Sequence, residues 1–200
     1  MPRPRRDSLA VALAAGLVLG LVTWYVWELP RHWHWLAQVG VPWLAAAFAV
    51  GALARDPRRG ALNGAAALVA AVVSYYAPAL LGVGPWAYPA SPVGLWWIAV
   101  GVPGGALFGA LGALYARGRA RVMATAVLTA CFAGEAVLFA LLVHHPGRAG
   151  TYLLAVAMAL PFLLLRRARE RLLALVLSAV LACAALVAEG SVFVLTRYVG

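Results

Sequence analysis

The sequence of 200 residues contains no lysine, and only 11% of its residues are charged. Soluble domains average about 25% charged residues, and a small domain has much surface to cover with polar groups. That shortage excludes a soluble enzyme, a solvated nucleic-acid-binding domain and a disordered tail. Acid is scarcer still, with six Asp and Glu against 16 bases, every one of them arginine. The two cysteines, Cys131 and Cys183, lie inside apolar runs with no CxxC spacing, so no disulfide framework is expected. No GxSxG, HExxH, EExxxR or paired-Asp motif is present, nor a glycine loop ending in Lys-Ser/Thr. No metal site or cofactor is therefore expected, and no motif names a catalytic residue.

What remains is oil. Hydrophobic residues make up 65% of the chain and the mean hydropathy is +0.91. About 20 apolar residues in a helix cross a hydrocarbon core of about 30 Å. Seven runs approach that length: 8–27, 37–54, 61–82, 94–116, 122–143, 151–165 and 172–195. The sixth is the shortest and contains Pro161. The expected fold is all-α, a polytopic transmembrane bundle of about seven helices forming a single membrane domain over 1–200.

The arginines orient it. With the amino terminus in the cytoplasm and every run crossing, the inner segments hold Arg3, Arg5, Arg6, Arg55, Arg58, Arg59, Arg117, Arg119, Arg121, Arg166, Arg167, Arg169 and Arg171. Only Arg31, Arg148 and Arg197 fall outside. Positive charge collects on the cytoplasmic side, so the carboxyl terminus is expected outside. The first run continues into Thr23-Trp24-Tyr25-Val26-Trp27 without a cleavage site and reads as a signal anchor. The Ala-, Gly-, Val-, Pro- and Arg-rich composition has the look of a GC-rich genome, and the expected address is a bacterial plasma membrane.

Aromatic and polar side chains gather toward the outside. All eight tryptophans (24, 27, 33, 35, 43, 86, 96 and 97) fall there, with His32, His34, His144 and His145. Rings at headgroup depth form an ordinary interfacial belt, yet the inner face has little beyond Tyr115. An outer vestibule entered past Trp35 and Trp97 is the functional alternative, with Ser74-Tyr75-Tyr76 as its hydroxyl cluster. Glu135 in the fifth run and Glu189 in the seventh are acids at membrane depth, with Glu28 a third at the end of the first. A carboxyl group there is a candidate for ligand binding or proton relay, or else a protonated hydrogen-bonding link between helices. The histidines supply nitrogens on one side, but no convergent ligand set can be read from their spacing.

Gly101, Gly105 and Gly109 recur every four residues in the fourth run, and Ala12, Gly16 and Gly20 in the first. Such stripes permit close helix packing, or form a docking face for a membrane partner subunit or a second copy. Pro103 should bend the fourth helix.

The run from Trp35 to Trp43 with Phe48–Gly51, Ser74-Tyr75-Tyr76, the segment from Trp96-Trp97 to Gly109 with its Arg117-Gly118-Arg119 exit, and Ala133-Gly134-Glu135 carry a resemblance. Over roughly residues 10–140 the chain resembles a family of small integral membrane proteins of GC-rich bacteria classed as a domain of unknown function. The resemblance implies a fold and a location and brings no catalytic residues. The residues themselves point to small-solute binding or transport through an outward polar-aromatic cavity. A non-catalytic scaffold or partner subunit, and an intramembrane enzyme acting on a lipid-linked substrate, are the alternatives.

Overall fold

The computed structural model describes residues 7–54, 56–82, 92–142 and 146–199, with side chains for 8–54, 56–79, 81–82, 94–140 and 149–186. Among the described residues the regular structure is entirely helical. The helices are α1 (Asp7–Val26), α2 (Trp35–Gln38), α3 (Val41–Ala54), α4 (Pro57–Leu80), α5 (Pro92–Ala116), α6 (Arg121–Leu142), α7 (Pro146–Leu164) and α8 (Ala168–Val199), with a 3-10 turn at Arg31–Trp33.

Several helices begin before the apolar runs do: α4 at Pro57, α7 at Pro146 and α8 at Ala168. A helix's first turn tolerates arginine and proline, whereas an apolar run marks only the part suited to hydrocarbon. The second run is broken. The helical stretch Arg31–Gln38, which ends in α2, meets α3 at an angle of 49°, where Val39 is extended. Pro42 has no amide hydrogen to offer the Gln38 carbonyl, so α2 cannot continue through it. Among the described residues four helices are long and apolar enough to cross a membrane, or five if the bent pair counts as one span. Leu17, Val18, Leu21 and Val22 on α1 are exposed, as are Leu163 on α7 and Val180 on α8. Large apolar side chains exposed in such numbers need a lipid surface, not water.

Contacts divide the chain into two units, Met1–Ala120 and Arg121–Gly200. In the first, α4 packs against α1, α3 and α5. Its start is fixed by Asp56, an extended N-cap whose carboxylate accepts from the Arg59 amide at 3.1 Å, with Pro57 in the first turn. Arg117 at the end of α5 reaches Asp56 at 3.7 Å. There the Arg119 amide donates to Leu114 O (3.0 Å) and the Gly118 amide to Tyr115 O (2.9 Å), with Gly118 at φ +76°. This double closure needs a left-handed residue, which glycine supplies without strain.

The contacts of α4 are backbone contacts. Gly16 on α1 lies against the Ala67 carbonyl and Gly20 against the Ala71 carbonyl and the Ser74 hydroxyl. Gly60 and Gly64 meet Gly105 and Gly109 of α5, Gly51 of α3 also meets Gly109, and Gly112 meets the Phe48 carbonyl. A Cβ at any of these would overlap a neighbouring backbone atom. Gly101 differs, because its nearest neighbour, Leu68 Cβ, would lie 3.7 Å from an added Cβ, an ordinary contact.

In the second unit α6 packs against both α7 and α8. Ala126, Leu165 and Ala174 form its small core, flanked by Val122 and Leu177. Arg171 ties α8 to the end of α7, its Nε donating to Leu165 O at 2.9 Å and its guanidinium lying 5.4 Å from the Phe162 ring centre.

The glycine contacts generate a sharp expectation. Gly109→Ala should destabilise the protein by about 1–3 kcal/mol through overpacking, while Gly101→Ala should be neutral. Thermal unfolding in detergent measures both, and equal effects would refute the packing described.

Candidate functional site

At the end of the first unit opposite the Asp56–Arg117 pair, aromatic side chains from several elements meet. Trp27 follows the last turn of α1, His34 lies between the 3-10 turn and α2, Trp43 stands in the first turn of α3, and Tyr75 and Tyr76 lie in α4. The Trp27 indole Nε1 donates to the Tyr75 hydroxyl at 2.7 Å. The His34 ring lies 5.1 Å from Trp27, tilted by 59°. Trp43 stands edge-on to Tyr75 at 6.2 Å and 70°, and Tyr75 to Tyr76 at 4.9 Å and 87°. Perpendicular pairs place the positive edge of one ring against the negative face of the next.

The local backbone explains how the rings arrive. After α1, the amides of Trp27, Glu28 and Leu29 bond back to Trp24, Tyr25 and Val26, tightening the last turn. The chain then folds over through Pro30, and His34 Nε2 donates to the Leu29 carbonyl at 2.8 Å. A carbonyl can only accept, so Nε2 carries the proton of this bond. Trp27 and Tyr75 are brought together by the α1–α4 contact, since Gly20 lies against Ala71, one turn before Tyr75, and against Ser74, the residue preceding it. The start of α5 completes the cluster's flank, with Gly94 beside the Tyr76 ring.

The residues singled out in the sequence divide between places. Tyr75 and Tyr76 are at the heart of the cluster. Glu28, next to Trp27, is exposed, and Trp35 on α2 is half-buried. Trp97 on α5 is 51% exposed, beside the still more exposed Trp96. Glu135 belongs to the second unit, half-buried on α6 one turn beyond Cys131, and a Cβ on its neighbour Gly134 would meet nothing within 4 Å. Glu189 falls in α8, but its side chain lies outside the described residues, as do His144 and His145. Gly16, Gly20, Gly105 and Gly109 make the close helix contacts given above, whereas Gly101 does not. Among the described residues no group of three or more His, Cys, Asp and Glu could hold a metal ion.

Three polar residues not singled out in the sequence are deeply buried: Asn63 (3% exposed), Thr125 (0%) and Thr129 (2%). Asn63 Nδ2 and both threonine hydroxyls have no hydrogen-bond partner. The sequence did contain one signal, since Asn63 is the only asparagine and lies inside an otherwise apolar run.

Helices of this length and apolarity, with an aromatic cluster at one end and arginine turns at the other, define a helical membrane protein. More narrowly, the chain belongs to DUF6518, a family of unknown function, which it matches over residues 1–194. The match therefore extends past the 10–140 region of resemblance into the last helix. No curated protein and no solved structure matches the chain.

Tyr75→Phe removes the acceptor of the Trp27 indole and should lower stability by about 1 kcal/mol. Tyr76→Phe, by comparison, should have little effect. Thermal unfolding followed by tryptophan fluorescence distinguishes the two, and a Tyr75→Phe midpoint equal to the native one would contradict the geometry.

Proposed function

We propose that the protein resides in a bacterial plasma membrane, amino terminus in the cytoplasm, and binds a small cationic solute at its aromatic end as the binding step of transport. The observation that carries this reading is the ring cluster of Trp27, His34, Trp43, Tyr75 and Tyr76. Aromatic faces attract organic cations, by about 0.5–2 kcal/mol per ring depending on desolvation. An exposed carboxylate, Glu28, follows Trp27 directly. Glu135 and Glu189, on helices of the second unit, are by themselves candidate acids for proton relay or ligand coordination. The scaffold alternative draws on the glycine stripes, but Gly16, Gly20, Gly105 and Gly109 face other helices of this same chain. That leaves the ring cluster as the better-supported feature.

Seven crossings follow the arginine asymmetry. α7 has 19 residues, which at a rise of about 1.5 Å each gives about 28 Å, close to the hydrocarbon thickness. Crossing there keeps the cluster Arg166–Arg171 on the same side as the other arginine turns. Reporter fusions check it: a periplasm-dependent enzyme should be inactive when fused after Arg119 or Arg169 and active after Gly147. The opposite pattern would reverse the orientation.

The binding proposal is tested by titrating the purified protein with tetramethylammonium and following tryptophan fluorescence. A saturable change, weakened about tenfold or more in Trp43→Ala, agrees with loss of one desolvated cation–π face. A response that never saturates, or is unaltered in Trp43→Ala, rules the cluster out as the binding site.

A further inference from the structure

We infer that α6 and α7 enclose a buried hydration site built from Thr125, Thr129 and the backbone carbonyl of Ala157. The three largest fully buried side chains among the described residues are Thr125, Thr129 and Pro161. Two of them carry hydroxyls, and neither hydroxyl has a hydrogen-bond partner. Helical threonine ordinarily bonds back to a carbonyl of the preceding turn. Thr23, Ser74 and Ser178 do so in this chain, on Leu19, Ala71 and Leu175. Thr125 and Thr129 stand out against that pattern. A buried hydroxyl left without a partner is costly.

Pro161 supplies the missing counterpart. It lies inside α7 and has no amide hydrogen, so the carbonyl of Ala157, four residues earlier, loses its usual helical donor. The register of the two helices brings these groups level. Gly150 on α7 sits between Ala136 and Ala140 of α6, an added Cβ lying 3.0 Å from Ala136 O. The helices run antiparallel, so two turns further along α7 is Ala157 and two turns back along α6 is Thr129. One more turn pairs Pro161 with Thr125. Ala157 is itself 1% exposed. α7 packs chiefly on α6, so its buried stripe of Leu153, Ala157 and Pro161 faces the threonines.

Two hydroxyls that can donate or accept and one carbonyl that accepts are what a single water molecule needs, since buried waters make about three hydrogen bonds. Three oxygens are too few for a hard cation, which takes about six or more. Proline within a membrane helix is tolerated where hydroxyls and ordered water serve the carbonyl it frees. The water donates to Ala157 O and bonds both threonines, serving the carbonyl that Pro161 leaves without a helical donor.

Radiolytic footprinting of the full chain in lipid nanodiscs tests the site, because X-ray pulses oxidise side chains that lie beside bound water. Pro161, though fully buried, should be oxidised in the native protein. The label should disappear in Thr125→Val/Thr129→Val and persist in Thr125→Ser/Thr129→Ser, which keeps the hydroxyls. No label at Pro161 in the native chain, or equal label in the valine variant, overturns the inference. A second readout needs only single and double variants. Pro161→Ala restores the amide to Ala157, so the fall in unfolding midpoint caused by Thr129→Val should shrink in that background. Strictly additive midpoints would equally overturn it.

Discussion

When two helices approach until backbone touches backbone, the side chain between them has to be absent. Around α4 that condition is met on two sides, by Gly16 and Gly20 of α1 and by Gly105 and Gly109 of α5 against Gly60 and Gly64 of α4 itself, while Gly51 of α3 meets Gly109 in the same way between α3 and α5. In hydrocarbon the helices gain little from hiding apolar surface, because lipid is as apolar as leucine; close van der Waals contact is what distinguishes protein from lipid. Everything else in the first unit follows from this proximity. The approach of α1 sets Trp27 beside Tyr75, and that of α5 sets Arg117 beside Asp56. The aromatic end and the arginine end are thus two consequences of one packing core.

The second unit relies on a different device. Its core residues Ala126, Leu165 and Ala174 are small or aliphatic, but the face of α6 toward α7 carries hydroxyls. Pro161 lies inside the continuous helix α7, as Pro103 does inside α5. A helix that loses a carbonyl's donor must compensate locally, and hydroxyls placed in register on the neighbouring helix are the available means. Asn63 shows that the first unit also tolerates a buried polar group, next to the residues where α4 and α5 are closest.

Much of the fold was legible in the sequence, for reasons that also mark where legibility ended. Apolar run length reports the hydrocarbon part of a helix, so each run corresponds to a helix, while the arginine- and proline-bearing first turns of α4, α7 and α8 escaped it. The break between α2 and α3 was written as Gly40-Val41-Pro42, but hydropathy averaging passes over a bend. The glycine stripe was half legible. Gly105 and Gly109 were visible by period, but their partners Gly51, Gly60 and Gly64 stood in alanine-rich surroundings or beside an arginine turn, and period alone extended the stripe to Gly101. For the aromatic cluster, composition gave the rings but not their pairing, because Trp27 and Tyr75 are 48 residues apart. Thr125 and Thr129 were silent, since threonine in a membrane helix is unremarkable until its hydroxyl is seen to lack an acceptor.

The packing of the first unit therefore turns on whether glycines distant in sequence are neighbours in space. Solid-state NMR of the protein in lipid bilayers, carbon-labelled only at glycine, reads this directly. Cross-peaks linking Gly51 to Gly109, and Gly60 and Gly64 to Gly105 and Gly109, are the predicted result. A spectrum whose short-range correlations are confined to the sequential pair Gly104–Gly105 would contradict it.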